Sequence, residues 1–191
     1  RLRDWRGADR EQVTVRDLLA HASGLPAYLP FFRDHTGRAE FDAAICRTPL
    51  EYPPGTRSLY SDLGFILLGF ILEDVRRSSP APGRFEPAAA LAAQLQAVAS
   101  SLTTEPLLFN PPRALRGRIA PTELDPWRGR TLIGEVHDEN AWALGGAAGH
   151  AGLFGTAAAV GAFARAVLAT FAGDAVLARP ATLREFLRRV D

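Results

Sequence analysis

The chain has 191 residues, of which 47% are hydrophobic and 23% are charged, a composition typical of a globular protein. Its net charge of +1, with arginines interspersed among acidic residues, gives no reason to expect a nucleic-acid partner. The sequence contains no lysine and no methionine, so it supplies no catalytic lysine, and Arg1 is not a natural translation start. We therefore expect an internal piece of a longer protein. The apolar run from Leu63 to Leu72 is far shorter than the ~20 residues of a membrane span.

The first predicted element is a short helix in the segment VTVRDLLAHASGLP. Thr14 can cap its first turn, and Asp17, three residues later, completes a capping box. Gly24 suits the left-handed position that ends a helix, and the proline two residues later prevents the helix from resuming. The pattern predicts that Leu18 and Leu19 face the core.

An irregular loop, YLPFFRDHTGR, precedes a second predicted helix, from Asp42 to Arg47. The YPPGTR turn then leads to Tyr60 and to a long apolar helix, predicted from Leu63 to Arg77. Gly64 and Gly69 inside this helix each cost roughly 1 kcal/mol relative to alanine. We therefore expect a neighbouring backbone to approach closely at both glycines.

The second half of the chain is predicted to consist of helices separated by loops. Residues 76–88 are predicted to form a surface loop, AAALAAQLQAVASSL a helix, and FNPPRALRGRIAPTELDPWRGR a long irregular loop. The segment GGAAGHAGLFG combines a glycine-rich turn with a short extended piece, and Thr156 is the predicted N-cap of the next helix. One stripe of that helix is apolar: Val160, Phe163, Val167, Leu168 and Phe171. The sequence is thus predicted to be mainly α with a few short strands.

Two groups near the first helices have the residue types of reactive sites. His21 and Ser23 in HASG are two residues apart at a helix end, where side chains rarely face each other, so we assign both a structural role. Cys46 is the single cysteine, which excludes an internal disulfide. It is predicted to be a small buried hydrophobic residue.

The segment VHDEN and the histidine that follows it have the residue types of a metal site. His137, Asp138 and Glu139 are adjacent in sequence, and His150 lies further along. No paired spacing such as His-x-x-x-His supports a metal site here. We interpret VHDEN as a hydrogen-bonded loop near a cleft, whose side chains brace the following glycine segment.

Three segments together resemble a known family: VTVRDLLAHASGLP, YPPGTRSLYSDLGFILLGFILE and GGAAGHAGLFGTAAAVGAFARAVL. In this order they resemble the serine β-lactamase-like superfamily, which contains class C β-lactamases, penicillin-binding proteins and related esterases. GEVHDENAWALGG further resembles the branch of penicillin-binding-protein 4B-like carboxypeptidases. The resemblance implies the helical-domain portion of the α/β serine β-lactamase/DD-peptidase fold, with residues 1–191 as the central, mostly helical part of one domain.

The resemblance also implies a serine hydrolase that forms an acyl-enzyme on ester, D-amino-acid peptide or β-lactam substrates. Such an active site needs a Ser-x-x-Lys pair, a Tyr-x-Asn and a Lys-Thr-Gly-like or His-x-Gly strand. Tyr60-Ser61-Asp62 occupies the second of these positions, and we expect the other two outside this chain. The 191 residues alone are therefore expected to be inactive.

Tyr60 is the predicted general acid and base. A tyrosine accepts a proton only if its phenol pKa of about 10 is lowered, which a lysine ammonium and the positive end of the following helix would favour. Asp62 replaces the asparagine of β-lactamases, and an ionised carboxylate accepts hydrogen bonds but cannot donate them. Asp62 is predicted to position the lysine and contact substrate, with esters or D-amino-acid peptides preferred over β-lactams. Helix capping is the structural alternative for Ser61 and Asp62.

His150 and the glycines around it are predicted to line the substrate pocket. No metal or organic cofactor is implied, and the expected partner is a small-molecule or peptide substrate. The resemblance suggests a periplasmic or cell-envelope location. A non-catalytic β-lactamase-like binding or scaffold protein is the alternative, because Asp62 departs from the family pattern and the serine–lysine pair is absent from these residues.

Overall fold

A computed structural model of the protein describes residues 5–7, 9–77 and 87–188, which are mainly helical with a few short strands. The helices are α1 (Val15–Leu19), α2 (Gly37–Arg47), α3 (Asp62–Arg77), α4 (Pro87–Leu102), α5 (Glu139–Ala143), α6 (Ala157–Ala172) and α7 (Pro180–Phe186). The strands are β1 (Leu107–Phe109), β2 (Leu124–Asp125), β3 (Arg130–Thr131) and β4 (Leu153–Gly155). None of the helices described has both the length and the apolar character that crossing a bilayer requires.

Helix α1 begins as its sequence predicts. The Thr14 hydroxyl accepts a hydrogen bond from the Asp17 amide at 3.2 Å, and the Asp17 carboxylate accepts one from the Thr14 amide at 2.8 Å. These two bonds confirm the capping box. Leu18 is buried, but Leu19 is exposed, so the expectation that both face the core is wrong for Leu19.

The end of α1 differs from the prediction. The helix stops at Leu19, and His21, with a φ of 55°, takes the left-handed conformation that follows a helix. The Ala22 amide donates to the Asp17 carbonyl at 2.7 Å. This is the 6→1 hydrogen bond that characterises a Schellman motif. Gly24 also has a positive φ, of 87°, but it lies beyond the end of α1. The prediction that Gly24 ends the helix is therefore wrong, and its contact is with the loop that contains Tyr52.

Helix α2 begins at Gly37, earlier than the predicted Asp42. The Glu40 carboxylate accepts a hydrogen bond from the Thr36 amide at 2.6 Å and so satisfies a free donor at the helix start. The first turn of α2 is polar, and the buried hydrophobic residues of the helix begin only at Phe41. A prediction based on hydrophobic periodicity therefore placed the start of the helix too late.

Helix α3 lies at the centre of the main hydrophobic core, where it contacts α1, α2 and α4. The Arg38 guanidinium of α2 pairs with the carboxylates of Glu73 and Asp74 on α3, at 2.8 Å each. The core is built around the buried residues of α3, which are Leu63, Ile66, Leu67 and Phe70. This packing makes α3 a rigid base for the residues at its N-terminus.

A close backbone contact joins α3 to the glycine-rich segment. A Cβ on Gly69 would lie 3.0 Å from the Gly149 amide nitrogen, and a Cβ on Gly149 would overlap the carbonyl oxygen of Phe65. The expected close approach is therefore confirmed for Gly69. It is wrong for Gly64, where an added Cβ would meet its nearest atom at 3.7 Å, an ordinary contact.

The strands form two small antiparallel pairs. β1 pairs with β4, with Leu108 opposite Phe154, and β2 pairs with β3 inside the long proline-rich loop. The ends of the predicted 76–88 loop are helical, because α3 extends to Arg77 and α4 begins at Pro87. The remainder of that loop, 78–86, lies outside the described residues.

Helix α6 begins at its predicted N-cap, where the Thr156 hydroxyl accepts a hydrogen bond from the Ala159 amide at 3.1 Å. Its buried residues are Ala159, Ala166 and Thr170. An apolar stripe ordinarily faces a core, but most of the stripe on α6 is exposed to solvent. Its exposed members are Val160, Phe163, Leu168 and Phe171.

Candidate active site

Tyr60, Ser61 and Asp62 lie at the N-terminus of α3, where Ser61 caps the helix. The Gly64 amide donates to the Ser61 hydroxyl oxygen at 3.2 Å, and this hydroxyl donates to the Pro26 carbonyl at 2.7 Å. Ser61 is 1% exposed. The Ser61 hydroxyl therefore links the start of α3 to the loop at Pro26 and is not accessible to a substrate. This confirms the helix-capping role for Ser61.

The HASGLPA segment, residues 21–27, holds the backbone around Tyr60. The His21 carbonyl accepts a hydrogen bond from the Leu59 amide at 2.8 Å. The Nδ1 atom of His21 accepts a second one from the Ser61 amide at 3.0 Å. The residues before and after Tyr60 are thus bound to the same histidine.

The other end of this segment binds the backbone of Asp62, whose amide donates to the Ala27 carbonyl at 2.9 Å. Between the two ends, the Gly24 carbonyl accepts from the Glu51 amide at 2.8 Å. A Cβ on Gly24 would overlap the carbonyl oxygen of Tyr52. Glycine is therefore required there so that the two loops can meet.

His21 is a structural partner of Tyr60 and does not pair with Ser23. Its ring lies between two aromatic rings, with centroid distances of 4.7 Å to Tyr60 and 4.6 Å to Phe65. The Ser23 hydroxyl is buried and accepts instead from the Leu25 amide at 3.4 Å. This confirms the structural assignment of both residues in HASG.

Tyr60 is 64% exposed, so its phenol is open to a substrate. Partial burial, the negative charge of Asp62 with its hydrogen bond to the phenol, and the charge of Asp138 raise the pKa of Tyr60 above its ordinary value. The described residues therefore raise the pKa of Tyr60, whereas base catalysis requires a lowered pKa. A phenolate at this position needs a cation contributed from elsewhere.

Tyr28 shares the electrostatic environment of Tyr60. It is 42% exposed, and partial burial followed by the charges of Glu139 and Asp138 raises its pKa. The charges of Asp62 and Asp138 act on both phenols. The sequence analysis missed Tyr28, and the only available signal was its position directly after HASGLPA.

Asp138 joins α5 to the glycine-rich segment. Its carboxylate caps α5 by accepting from the Ala141 amide at 2.7 Å, and it bonds Nε2 of His150 at 2.8 Å. Burial favours the neutral acid, but the hydrogen bond and charge of His150 and the Ala141 amide outweigh it and lower the pKa of Asp138. The predicted bracing of the glycine segment by VHDEN is confirmed, but the predicted loop is wrong for Glu139 and Asn140, which belong to α5.

The side chain of His150 is only 2% exposed. Its Nδ1 atom has no hydrogen-bond partner among the described residues. The ring therefore supports the site from within, and direct contact between His150 and a substrate stays a prediction that requires the ring to become uncovered.

Asn140 ties α5 to the loop that carries Tyr28. Its side-chain amide donates to the Leu29 carbonyl at 2.9 Å, and its side-chain oxygen accepts from the Phe32 amide at 2.9 Å. Asn140 is fully buried. These two bonds fix the start of α5, where Asp138 is the N-cap, relative to the loop that carries Tyr28.

An open depression of about 660 Å³ lies beside Asp138, and Tyr60 does not line it. Its polar groups include His137, whose Nε2 lies 2.6 Å from the Glu123 carboxylate. Its walls are mainly apolar and include Pro106, Leu108, Leu115, Ile119, Val136, Leu153 and Phe154. Within the described residues, no three His, Cys, Asp or Glu side chains are grouped as a metal site requires.

Comparison with known proteins relates nearly the whole chain to one family. A family model described as Beta-lactamase matches residues 3–189. Proteins named putative D-alanyl-D-alanine carboxypeptidase, from Salmonella paratyphi B and Salmonella newport, are each 32% identical over 168 residues. These matches cover 76% of this chain and 36% of each relative, so the chain spans about a third of the length of these curated relatives.

A solved structure is also similar. The crystal structure of a penicillin binding protein from Bacillus halodurans superimposes with a TM-score of 0.60 at 20% sequence identity. The match covers 98% of this chain and 54% of that one. At this identity the likeness shows the fold alone.

Proposed function

The chain belongs to the beta-lactamase family, within the superfamily of serine β-lactamases and penicillin-binding proteins, and from this premise we propose its part in catalysis. It forms one wall of a serine hydrolase active site and contributes Tyr60 as the proton-transfer group. The serine nucleophile and its lysine lie in a part of the protein outside these 191 residues. The observation that supports this proposal is an exposed phenol held on a buried, hydrogen-bonded base at the start of α3.

The proposed reaction is acyl transfer. A serine hydroxyl passes its proton to its neighbouring lysine as it attacks the substrate carbonyl, the leaving group departs with a proton, and water hydrolyses the acyl-enzyme. Tyr60 is suited to donate the proton to the leaving group, because its raised pKa keeps the phenol neutral. The lysine ammonium, held by Asp62, would stabilise the phenolate that results and so allow Tyr60 to take the next proton.

Asp62 favours ester or D-amino-acid peptide substrates in this proposal. An asparagine at this position can donate to the amide carbonyl of a β-lactam side chain, and an ionised carboxylate cannot. The carboxypeptidase names of the relatives support a peptide that ends in D-amino acids.

Labelling of the full-length protein tests this proposal. A fluorophosphonate or a labelled penicillin is expected to modify a serine that is followed by lysine three residues later, located by mass spectrometry. Tyr60→Phe should lower kcat for a nitrophenyl ester by about 100- to 10,000-fold, since it removes an acid–base group. Tyr52→Phe is the matched control and should retain most activity, because within the described residues that hydroxyl bonds a backbone carbonyl, that of His21, and no side chain of the site.

A non-catalytic binding protein is the second candidate. The raised pKa of Tyr60 and the carboxylate at Asp62 favour it, because both act against an activated phenolate. In that case the full-length protein would carry no label on serine, and a peptide ligand would bind equally to wild type and to Tyr60→Phe.

A further inference from the structure

The contacts of His21 assign it a role in the chemistry of Tyr60. We propose that His21 is a positioning residue whose ring and carbonyl together fix the orientation of the Tyr60 phenol toward a substrate. This inference rests on the proposed function, because the orientation matters only if Tyr60 transfers a proton.

His21 binds the chain on both sides of Tyr60. Its carbonyl oxygen accepts from the Leu59 amide at 2.8 Å, and its Nδ1 accepts from the Ser61 amide at 3.0 Å. The Tyr60 ring itself lies against the imidazole, with 4.7 Å between centroids. An exposed catalytic phenol needs such support, because a displacement of about 1 Å can lower a rate by about 100-fold.

The backbone conformation alone does not explain a histidine at this position. A left-handed φ of 55° is unfavourable for a residue with a Cβ, and glycine would adopt it freely. The imidazole supplies two things that glycine lacks. They are a hydrogen-bond acceptor for the Ser61 amide and a flat ring between Tyr60 and Phe65.

The support depends on a neutral His21. Because Nδ1 accepts a hydrogen bond, the ring proton lies on Nε2, and a second proton on Nδ1 would meet the Ser61 N–H and break the contact. Burial lowers the pKa of His21, and the charge of Asp62 opposes this. Among the described residues, the titratable groups that act on the ring are Tyr60, which packs against it, and Asp62, whose charge raises its pKa, while Phe65 is uncharged. As the pH falls through the pKa of His21, Tyr60 should lose its support and kcat should fall.

Two substitutions in the full-length protein separate the ring from the backbone. His21→Gly keeps the left-handed backbone and removes the acceptor, and it should lower kcat by about 10- to 100-fold with little change in KM. His21→Asn also tolerates this backbone, and its side-chain oxygen can accept from the Ser61 amide. It should recover much of the lost kcat and should lack the acid limb of the wild-type kcat profile. A wild-type kcat in His21→Gly, or an acid limb that persists in His21→Asn, would overturn the proposal.

A second measurement does not depend on activity or on the folding of a variant. NMR of the wild-type protein labelled with ¹⁵N-histidine should show the Nε2-protonated tautomer of His21 at neutral pH. The Nδ1-protonated tautomer would overturn the positioning role alone. A wild-type protein without turnover would overturn the proposed function, and with it the catalytic meaning of His21.

Discussion

Partial burial and carboxylates at two positions raise the pKa of Tyr60. Asp62 lies two residues along the chain, and Asp138, at the start of α5, acts on the phenol through its charge. Both favour the neutral phenol, since a phenolate would be a third negative charge in the same region. The negative charge of the same carboxylates would attract a cation to this region, and a nearby cation is what an acid–base tyrosine needs to stabilise its phenolate.

Asp62→Asn should bring the pKa of Tyr60 down toward its ordinary value, because it removes the nearest negative charge at nearly constant size. A pH titration of the Tyr60 ring resonances by NMR measures this shift. In the full-length protein the same change should raise β-lactam turnover relative to ester turnover, because the asparagine amide can donate a hydrogen bond.

Asp174→Asn is the matched control for this prediction. Asp174 is exposed and has no part in the pKa of Tyr60, so its replacement should leave the titration unchanged. An unaltered Tyr60 titration in Asp62→Asn would contradict the electrostatic account. An unaltered ratio of ester to β-lactam turnover would contradict the role of Asp62 in substrate choice.

At the scale of elements, α3 serves as the support for Tyr60, and two contacts keep it in place. Its apolar face fills the main core, and Gly69 lies against the backbone at Gly149. The glycine contact also fixes the segment that carries His150, which in turn bonds Asp138. A substitution at Gly69 is therefore expected to alter the position of His150 and, through it, that of Asp138.

Gly64→Ala and Gly69→Ala should change stability in opposite directions. An alanine at Gly64 meets only ordinary contacts, so it should raise the free energy of unfolding by up to about 1 kcal/mol through helix propensity. An alanine at Gly69 presses on the Gly149 backbone, and it should lower this free energy by about 1–3 kcal/mol. Urea unfolding of both variants checks the prediction, and a Gly69→Ala protein as stable as Gly64→Ala would contradict the close contact.

At the scale of the whole molecule, the apolar surface is unevenly covered. The main core around α3 is closed, whereas α6 and α7 expose large apolar side chains to solvent. Leu168 of α6 is 67% exposed and Phe186 of α7 is 63% exposed. Large apolar side chains exposed in this way lower solubility and promote association.

The purified 191-residue chain is expected to bind a hydrophobic dye and to self-associate through this surface. Exchanging Phe163 and Phe171 for lysine should reduce both dye fluorescence and the apparent mass by light scattering, with the circular dichroism spectrum unchanged. Ala164→Lys adds a charge at an exposed position of the same helix and is the control. Equal dye binding by the double variant and the control would show that the apolar side chains of α6 are not responsible.

Local signals in the sequence were sufficient for the elements that depend on near neighbours. The capping box at Thr14, the N-cap at Thr156 and the long apolar helix after Tyr60 were all predicted, because their hydrogen bonds and periodicity lie within a few residues. The order of motifs also indicated the superfamily. These features require no knowledge of which distant segments meet.

The tertiary structure decided what surrounds the phenol. His21 and Ser61 lie 40 residues apart, so no local pattern could pair them. The bracing of the glycine segment by VHDEN was predicted, but the specific bond between Asp138 and His150 was not. The sequence also could not predict that the apolar stripe of α6 is exposed, because periodicity shows that a helix has an apolar face but not what covers that face. The chain by itself therefore determined its three long helices, the N-caps at Thr14 and Thr156, and its family. Only the folded arrangement decided the charge around Tyr60, because electrostatic interactions depend on distance in space and not on separation along the sequence.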